Sequence, residues 1–410
     1  MTELLHGWKR VLIGDIAHVK RGASPRPIRD PRWFGGDVGW VRIADVTSSH
    51  VYLRKTTDYL SPLGVAKSVR VYPGEVILSI AATVGEVAII DMAACIHDGF
   101  VALKNLASDV DTRYLYYVLL FNQPTFKKAG QHGSQANINS TIVEDTALYL
   151  PPLPEQRKIA EILSTWDEAI ALTEQLIDAL ERRKKGLMQR LLTGAVRFPE
   201  YVRSNDVIET KYGDIPADWG YVPIGEVARE VSRKNDGGRD LTVLSCTKYD
   251  GLVDSLEYFG RQIFSDDTST YKLVARGQFA YATNHIEEGS IGYQDLYDCA
   301  LISPMYTVFE TERGLIDDRY LFKLLKTELY RHIFEVSTSG TVNRRGSLRW
   351  NDFSRIHIPL PPLHEQQAIA EVLETSDQEI KLVQRQRDAL QQQKKGLMQR
   401  LLTGQVRVKV

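Results

Sequence analysis

Four segments, two in each half of the chain, gather basic and amide side chains able to grip a ligand. The segment KRGASPRPIRDPR sets Lys20, Arg21, Arg26, Arg29 and Arg32 against one acid, Asp30, and GQHGSQANINS then offers Gln131, Ser134, Gln135, Asn137 and Asn139. The same types return later as Arg233, Lys234, Asn235 and Arg239, followed by Ser339, Thr341, Asn343, Arg344, Arg345 and Arg349. Guanidinium and ammonium groups neutralise phosphates and meet the O6 and N7 of guanine, while carboxamides make paired hydrogen bonds to adenine. This is the chemistry of nucleic-acid binding. A solvated loop has a similar composition, so the weight lies in two such sets at corresponding places.

Catalytic chemistry is harder to find. A base-flipping adenine methyltransferase needs an Asp or Asn followed by two prolines and an aromatic residue. The nearest match, Asp30-Pro31-Arg32-Trp33, lacks the second proline. No glycine-rich strand-to-helix turn for a nucleotide is evident, and residues 340–347 have the wrong spacing for a phosphate-binding loop, with two arginines and no lysine. His97-Asp98, His285 with Glu287 and Glu288, and His364-Glu365 lack metal-ligand spacing, and there is no CxxC. These histidines read as structural or surface groups, and no metal site is assigned.

The elements that must position the loops are written twice. Residues 151–194, PPLPEQRKIAEILSTWDEAIALTEQLIDALERRKKGLMQRLLTG, return as residues 361–404, PPLHEQQAIAEVLETSDQEIKLVQRQRDALQQQKKGLMQRLLTG, with 27 of 44 positions identical. In each copy the prolines block helix before the start and Gly194 or Gly404 closes the far end. Ile159, Leu163, Trp166, Ile170, Thr173, Ile177, Leu180, Lys184, Leu187 and Leu191 step by four and three, the seam of a coiled coil. The second copy places Ile369, Leu373, Ser376, Ile380, Val383, Arg387, Leu390, Lys394, Leu397 and Leu401 on the same seam. A parallel pairing would set Lys184 against Lys394 and Arg387 against Ile177, leaving buried charge uncompensated. Antiparallel pairing instead puts Lys184 near Ser376, Arg387 near Thr173, and Lys394 near the indole of Trp166. The reading is therefore two helices of about 55 Å, paired antiparallel.

Composition places few further limits. The chain has 410 residues, 43% of them hydrophobic and 25% charged, with a net charge of −1, so length allows two or three domains and nucleic-acid binding must rest on local charge. Three scattered cysteines argue for a reducing cytosol, and neither a secretion signal nor a membrane span is evident. In order, residues 1–150 form a globular unit with strands at 40–43, 75–80, 87–90, 100–103 and 146–150 and a helix over 111–121. Residues 151–194 are the first long helix, and 195–214 a connector. Residues 215–360 are a second unit, 361–404 the second helix, and 405–410 a C-terminal tail. The units echo one another: Ile13-Gly14-Asp15-Ile16-Ala17 returns as Ile224-Gly225-Glu226-Val227-Ala228, and Asp111-Thr112-Arg113-Tyr114-Leu115 as Asp317-Asp318-Arg319-Tyr320-Leu321. Framework positions agree while the basic loops differ, as suits two readers of different sequences.

Two variable units, each followed by a near-identical helix that opens with PPLPEQ or PPLHEQ and closes with KKGLMQRLLTG, resemble the specificity subunit of type I restriction-modification systems across essentially the whole chain. The resemblance implies two tandem target recognition domains of mixed α/β fold, separated by two long antiparallel coiled-coil helices in an internal pseudo-two-fold repeat. Each domain would read one half of a bipartite, asymmetric site in double-stranded DNA. The helix pair would set the spacer and dock methyltransferase subunits. It further implies a non-catalytic, cytoplasmic prokaryotic subunit binding no cofactor itself. Two modification subunits would carry S-adenosylmethionine, and restriction subunits would use ATP and Mg. His364 departs from the proline of the first copy, and Ser376 from Trp166. The rival readings are a coiled-coil scaffold that binds only proteins, and an unrecognised nuclease.

Overall fold

The computed structural model describes residues 7–130, 137–339 and 347–409. The chain divides into two compact units, one formed by residues 1–177 with 383–410 and the other by 178–382. Each unit therefore takes one portion of each long helix, Leu153–Leu191 and Leu363–Leu402. None of the described helices is long and apolar enough to cross a membrane.

Among the described residues of the first unit, one sheet has five strands in the order His18–Arg21, Phe100–Lys104, Val76–Ser79, Val87–Ile90, Tyr52–Leu53. A second has the order Asp58–Leu60, Phe34–Val41, Ala94–Ile96, Val69–Val71. The second unit repeats the plan with Ala228–Val231, Tyr306–Thr311, Phe279–Ala282, Ile291–Tyr293 in one sheet and Gly251–Asp254, Val243–Thr247, Cys299–Ile302, Lys272–Ala275 in the other. Strand Phe34–Val41 runs parallel to Ala94–Ile96, as Val243–Thr247 does to Cys299–Ile302. The central strands 76–79 and 87–90 are buried throughout and built of Val, Ile, Leu, Ala and Ser, as the apolar runs of the sequence require.

Several elements add to the sequence reading. Residues 9–21 contain both a strand and a short helix, Ile13–Ile16, before strand His18–Arg21. The basic segment is more ordered than its prolines and glycines suggest: a 3₁₀ turn covers Pro31–Trp33 and strand Phe34–Val41 begins at once. The helix at Thr112–Phe121 is followed by another, Gln123–Ala129, which accepts Pro124 because the first turn needs no donor there. The connector holds a hairpin, Val207–Thr210 with Gly213–Pro216.

Both long helices bury most of their seam positions, from Ile159, Leu163 and Leu373 at 0% exposure to Val383 at 9%, while Trp166, Leu187, Leu390 and Leu397 are half-buried. In the first unit Met398, Leu401 and Leu402 join the core of Ile159, Ala160 and Leu163. In the second, Leu191 and Leu192 join Ile369, Ala370 and Leu373, with Leu187 and Met188 packed against them. Polar contacts give the direction. Asp167 holds Lys394 and Glu155 holds Arg407 in one unit; Asp377 holds Lys184, Glu379 holds Arg183 and Glu365 holds Arg197 in the other. Partner numbers fall as the first member rises, so the pairing is antiparallel in each unit. Lys394 does not sit on Trp166. It lies 5.4 Å over the Tyr117 ring with its ammonium on Asp167, because a carboxylate one residue from the indole offers a full charge. Arg387 turns to Asp388.

The PPxxEQ motif now has a physical account. Gln156, 1% exposed, accepts from the amide of Asp111 at 2.8 Å and donates to the carbonyls of Asp109 and Pro151, each at 2.9 Å. Gln366 repeats this with the amide of Asp317 and the carbonyls of Leu315 and Pro361. Asp111 and Asp317 in turn cap the helices Thr112–Phe121 and Asp318–Leu325. One carboxamide thus satisfies three backbone groups and fixes the long helix to the domain before it.

Two consequences can be measured. Gln366→Ala strands those groups in the interior and is expected to cost about 3 kcal/mol in denaturant unfolding, against under about 0.5 kcal/mol for the exposed Gln189→Ala. Burial alone pushes the Asp377 carboxyl up, but the hydrogen-bonded ammoniums of Lys184 and Lys323 outweigh it and hold it below its ordinary range. A depressed folded value adds stability above the unfolded value of about 3.9 that is lost as pH falls through the folded one. Asp377→Asn should therefore be less stable than the wild type near neutrality, with the gap closing below about pH 4.

Candidate nucleic-acid interface

The basic loops occupy one place in the fold. Strand His18–Arg21 pairs antiparallel with Phe100–Lys104 and feeds the first loop; strand Ala228–Val231 pairs antiparallel with Tyr306–Thr311 and feeds the second. Gly22 is required at the first exit, since a Cβ there would stand 2.1 Å from the carbonyl oxygen of His97.

In the first unit Asp98 organises the loop. It accepts from Ser24 Oγ at 2.7 Å and pairs with Arg26 at 2.8 Å, while Arg21 Nε donates to its carbonyl at 3.1 Å. Burial pushes its carboxyl up, yet Ser24 and Arg26 hold it below the ordinary value. Arg32 grips Asp30 through Nε and Nη2 and lies 5.7 Å from the Trp33 ring, and the indole N–H donates to Pro27 O at 2.9 Å. Lys20 and Arg29 are exposed and hold no ion pair among the described residues. The Arg26 and Arg32 side chains remain 68% and 71% exposed. The Arg26–Asp98 pair is solvated on both sides and holds its arginine weakly, whereas Asp30 is itself largely covered and is gripped by Arg32 through two nitrogens.

The described end of the polar segment before the first proline pair packs on the strand end at Ile80 and Ala81. Asn137 bridges to Ala81 and Ile138 N donates to Ile80 O at 2.9 Å; Ala81 in turn lies 3.6 Å from where a Gly99 Cβ would be, next to Asp98. Asn139 is exposed and its side-chain oxygen caps the helix Ser140–Glu144. Gln131, Ser134 and Gln135 lie outside the described residues.

The second unit is built alike. Arg233, Lys234 and Arg239 are exposed. Asn235 is not: at 1% exposure it accepts from Arg239 N at 2.9 Å and donates to Arg239 O at 3.0 Å, closing the turn that presents its neighbours. Its amide organises the loop rather than facing outward. Leu348 N donates to Thr283 O at 2.9 Å, the counterpart of the Ile138 contact, and exposed Arg349 stands at the start of helix Trp350–Phe353 as Asn139 does at its own. Thr341, Asn343, Arg344 and Arg345 lie outside the described residues, as does the Ser339 side chain.

The histidine pairs take structural or surface places. His97 packs against Phe100 and Trp40, and burial holds its pKa below the ordinary value. His285, Glu287 and Glu288 differ from the reading that they lack ligand spacing: the 3₁₀ turn Ile286–Glu288 brings their ligand atoms within 4.8 Å of one another, with His285 and Glu288 in contact at 3.4 Å. Glu365 is fully buried, bound to Arg197 and to the Trp219 indole N–H at 3.0 Å. Glu155 holds Arg407, which lies 5.9 Å from the Trp8 ring. These arginines were missed. The signal was present, for the repeat continues past Gly194 and Gly404 as Ala-Val-Arg and Gln-Val-Arg.

Comparison with known proteins agrees with this layout. Residues 6–182 and 216–392 each match the family described as type I restriction modification DNA specificity domain. The MjaVIII type I specificity subunit of Methanocaldococcus jannaschii is 26% identical, over 98% of this chain and 93% of its own. The EcoBI specificity subunit of Escherichia coli is 22% identical, over 90% and 78%. The fold is shared with the S subunit of a type I system from M. genitalium, at a TM-score of 0.57, 13% identity, and 98% and 97% coverage. A chain from a structure of type I complex assembly matches at 0.60 with 17% identity and 98% and 99% coverage. With two copies of the domain spanning most of its length, the chain belongs to the type I restriction-modification DNA specificity family.

Proposed function

We propose that the protein is the DNA sequence-specificity subunit of a type I restriction-modification complex, each recognition domain reading one half of a bipartite, asymmetric site. The observation that carries this is the contrast between framework and surface. The Gln156 and Gln366 clamps agree group for group, whereas the basic loops share position but not sequence. Equal scaffolds with unlike faces suit a protein that meets two different base sequences. Exposed basic side chains that meet phosphates supply affinity, and a few bidentate base contacts, each about 1–3 kcal/mol of discrimination, supply specificity.

In this reading the chain is not itself catalytic. Two modification subunits docked on the helices would supply S-adenosylmethionine chemistry, restriction subunits would supply ATP- and Mg-dependent translocation and cleavage, and the assembly would work in the cytoplasm. The antiparallel helices set the unread spacer.

Exchanging residues 215–360 for those of a relative should change one half-site only, read by methylome sequencing of cells carrying the full system; a change in both halves would refute the division of labour. Lengthening both long helices by one heptad should alter the spacer and leave the half-sites intact. A purified complex whose affinity ignores sequence, or hardly falls as salt rises, would point instead to a scaffold that binds only proteins.

A further inference from the structure

Tyr249 is the most exposed large apolar side chain among the described residues, at 81%. It stands at the tip of a short hairpin in the second unit, where Thr247 of strand Val243–Thr247 pairs with Gly251 of strand Gly251–Asp254. Lys248 lies 5.2 Å from its ring.

The tip is held from beneath. Asp250 N donates to Thr247 Oγ1 at 2.9 Å, and the Tyr258 hydroxyl donates to the Asp250 carboxylate at 3.3 Å. Gly251 has φ +74°, a conformation that suits glycine. The Lys326 ammonium, at the end of helix Asp318–Leu325, donates to the carbonyls of Lys248 and Gly289, each at 2.9 Å. Committing a half-buried lysine to main-chain carbonyls makes sense if the position of the turn matters. A turn whose backbone is fixed in advance loses little entropy on binding.

We propose that this tip is a DNA-contacting element of the second recognition domain, with Tyr249 packing against a base edge or base step in its half-site, Lys248 meeting a flanking phosphate, and Lys326 acting as a positioning residue. The inference rests on the specificity-subunit reading. DNA is the favoured occupant because the feature has no twin. In the first unit the equivalent strand, Phe34–Val41, leads into a helix, Ile43–Ser48, instead of a tight hairpin. A protein docking equally on both units would meet the same surface twice, whereas the two half-sites differ. At the tip the exposed Lys248 ammonium stands beside the Tyr249 ring, while the Asp250 carboxylate is turned to the Tyr258 hydroxyl. Apolar side chains set beside cationic ones at a groove are a known means of reading and deforming base steps.

The test uses the assembled modification complex and a duplex carrying the motif that methylome sequencing assigns to the wild type. Tyr249→Ala should weaken binding roughly tenfold and relax discrimination in one half-site, with subunit stoichiometry, melting temperature and the other half-site unchanged. Lys326→Met should reproduce that one-sided loss with Tyr249 in place, and Lys326→Arg should restore part of it. Unchanged affinity and motif in Tyr249→Ala would overturn the proposal. So would a defect in complex assembly with DNA reading intact, which would make the tip a protein contact, and so would an equal loss in both half-sites. If the wild-type complex bound no sequence preferentially, the specificity reading itself would fall, a result distinct from any of these.

Discussion

A glutamate and a glutamine, adjacent and almost fully buried, begin each long helix, and the rest of each unit is arranged around them. Glu365 is 0% exposed, and a carboxylate there is tolerable only because Arg197 offers two nitrogens and the Trp219 indole a third donor. Beside it Gln366 closes the backbone of the capped helix of the domain. Three segments distant in sequence thus meet at one dipeptide: the start of one long helix, the residues just past the end of the other, and the recognition domain. An apolar pair could fill the same volume, but it would not require all three to be in register.

That arrangement explains which parts of the molecule are free to vary. The loops that follow strands His18–Arg21 and Ala228–Val231 hang from sheets whose geometry is set elsewhere, so their sequences can change without cost to the clamp. Within the loops the internal contacts are of two kinds. Asn235 is buried and shapes the turn, and exposed ion pairs such as Arg26 with Asp98 hold the arginines weakly. A surface that must trade its own contacts for those of a ligand is best built this way, with the framework strong and the outward groups loosely held.

Much of this was legible in the sequence because it depends on periodicity and on end signals. The apolar runs gave the central strands, the prolines and glycines bounded the long helices, and the placing of Lys184, Lys394 and Arg387 on the seam led to the antiparallel choice. Contacts that depend on tertiary neighbours were not legible. Lys394 chose Tyr117 and Asp167 over Trp166, and Tyr117 belongs to a helix that no seam argument includes. Arg197 and Arg407 lie three residues past Gly194 and Gly404, beyond the signals that end the helices, so helix patterning does not reach them. For the candidate site, the positions of the basic loops could be read from the framework echoes, but Asn235 and Arg233 look alike in sequence as polar loop residues. Their difference is one of burial, and that follows from the strand Tyr271 leads into.

The two units are not chemically equivalent even where their geometry agrees. At matching points Asp167 receives Lys394 and the Tyr117 hydroxyl, whereas Asp377 receives Lys184 and Lys323. A phenol brings no charge: burial and the nearby Asp167 carboxylate hold its pKa far above the ordinary value, so it stays a neutral donor at any working pH. The first cluster is therefore neutral overall, and the second carries one excess positive charge. Salt weakens partly exposed charge pairs more than it weakens a neutral hydrogen bond. The second cluster also keeps two ammoniums close together, a repulsion relieved only while Asp377 is ionised. Duplication has preserved the shape of the junction while giving the second unit the greater dependence on charge, so the geometric symmetry of the repeat does not extend to its response to acid and salt.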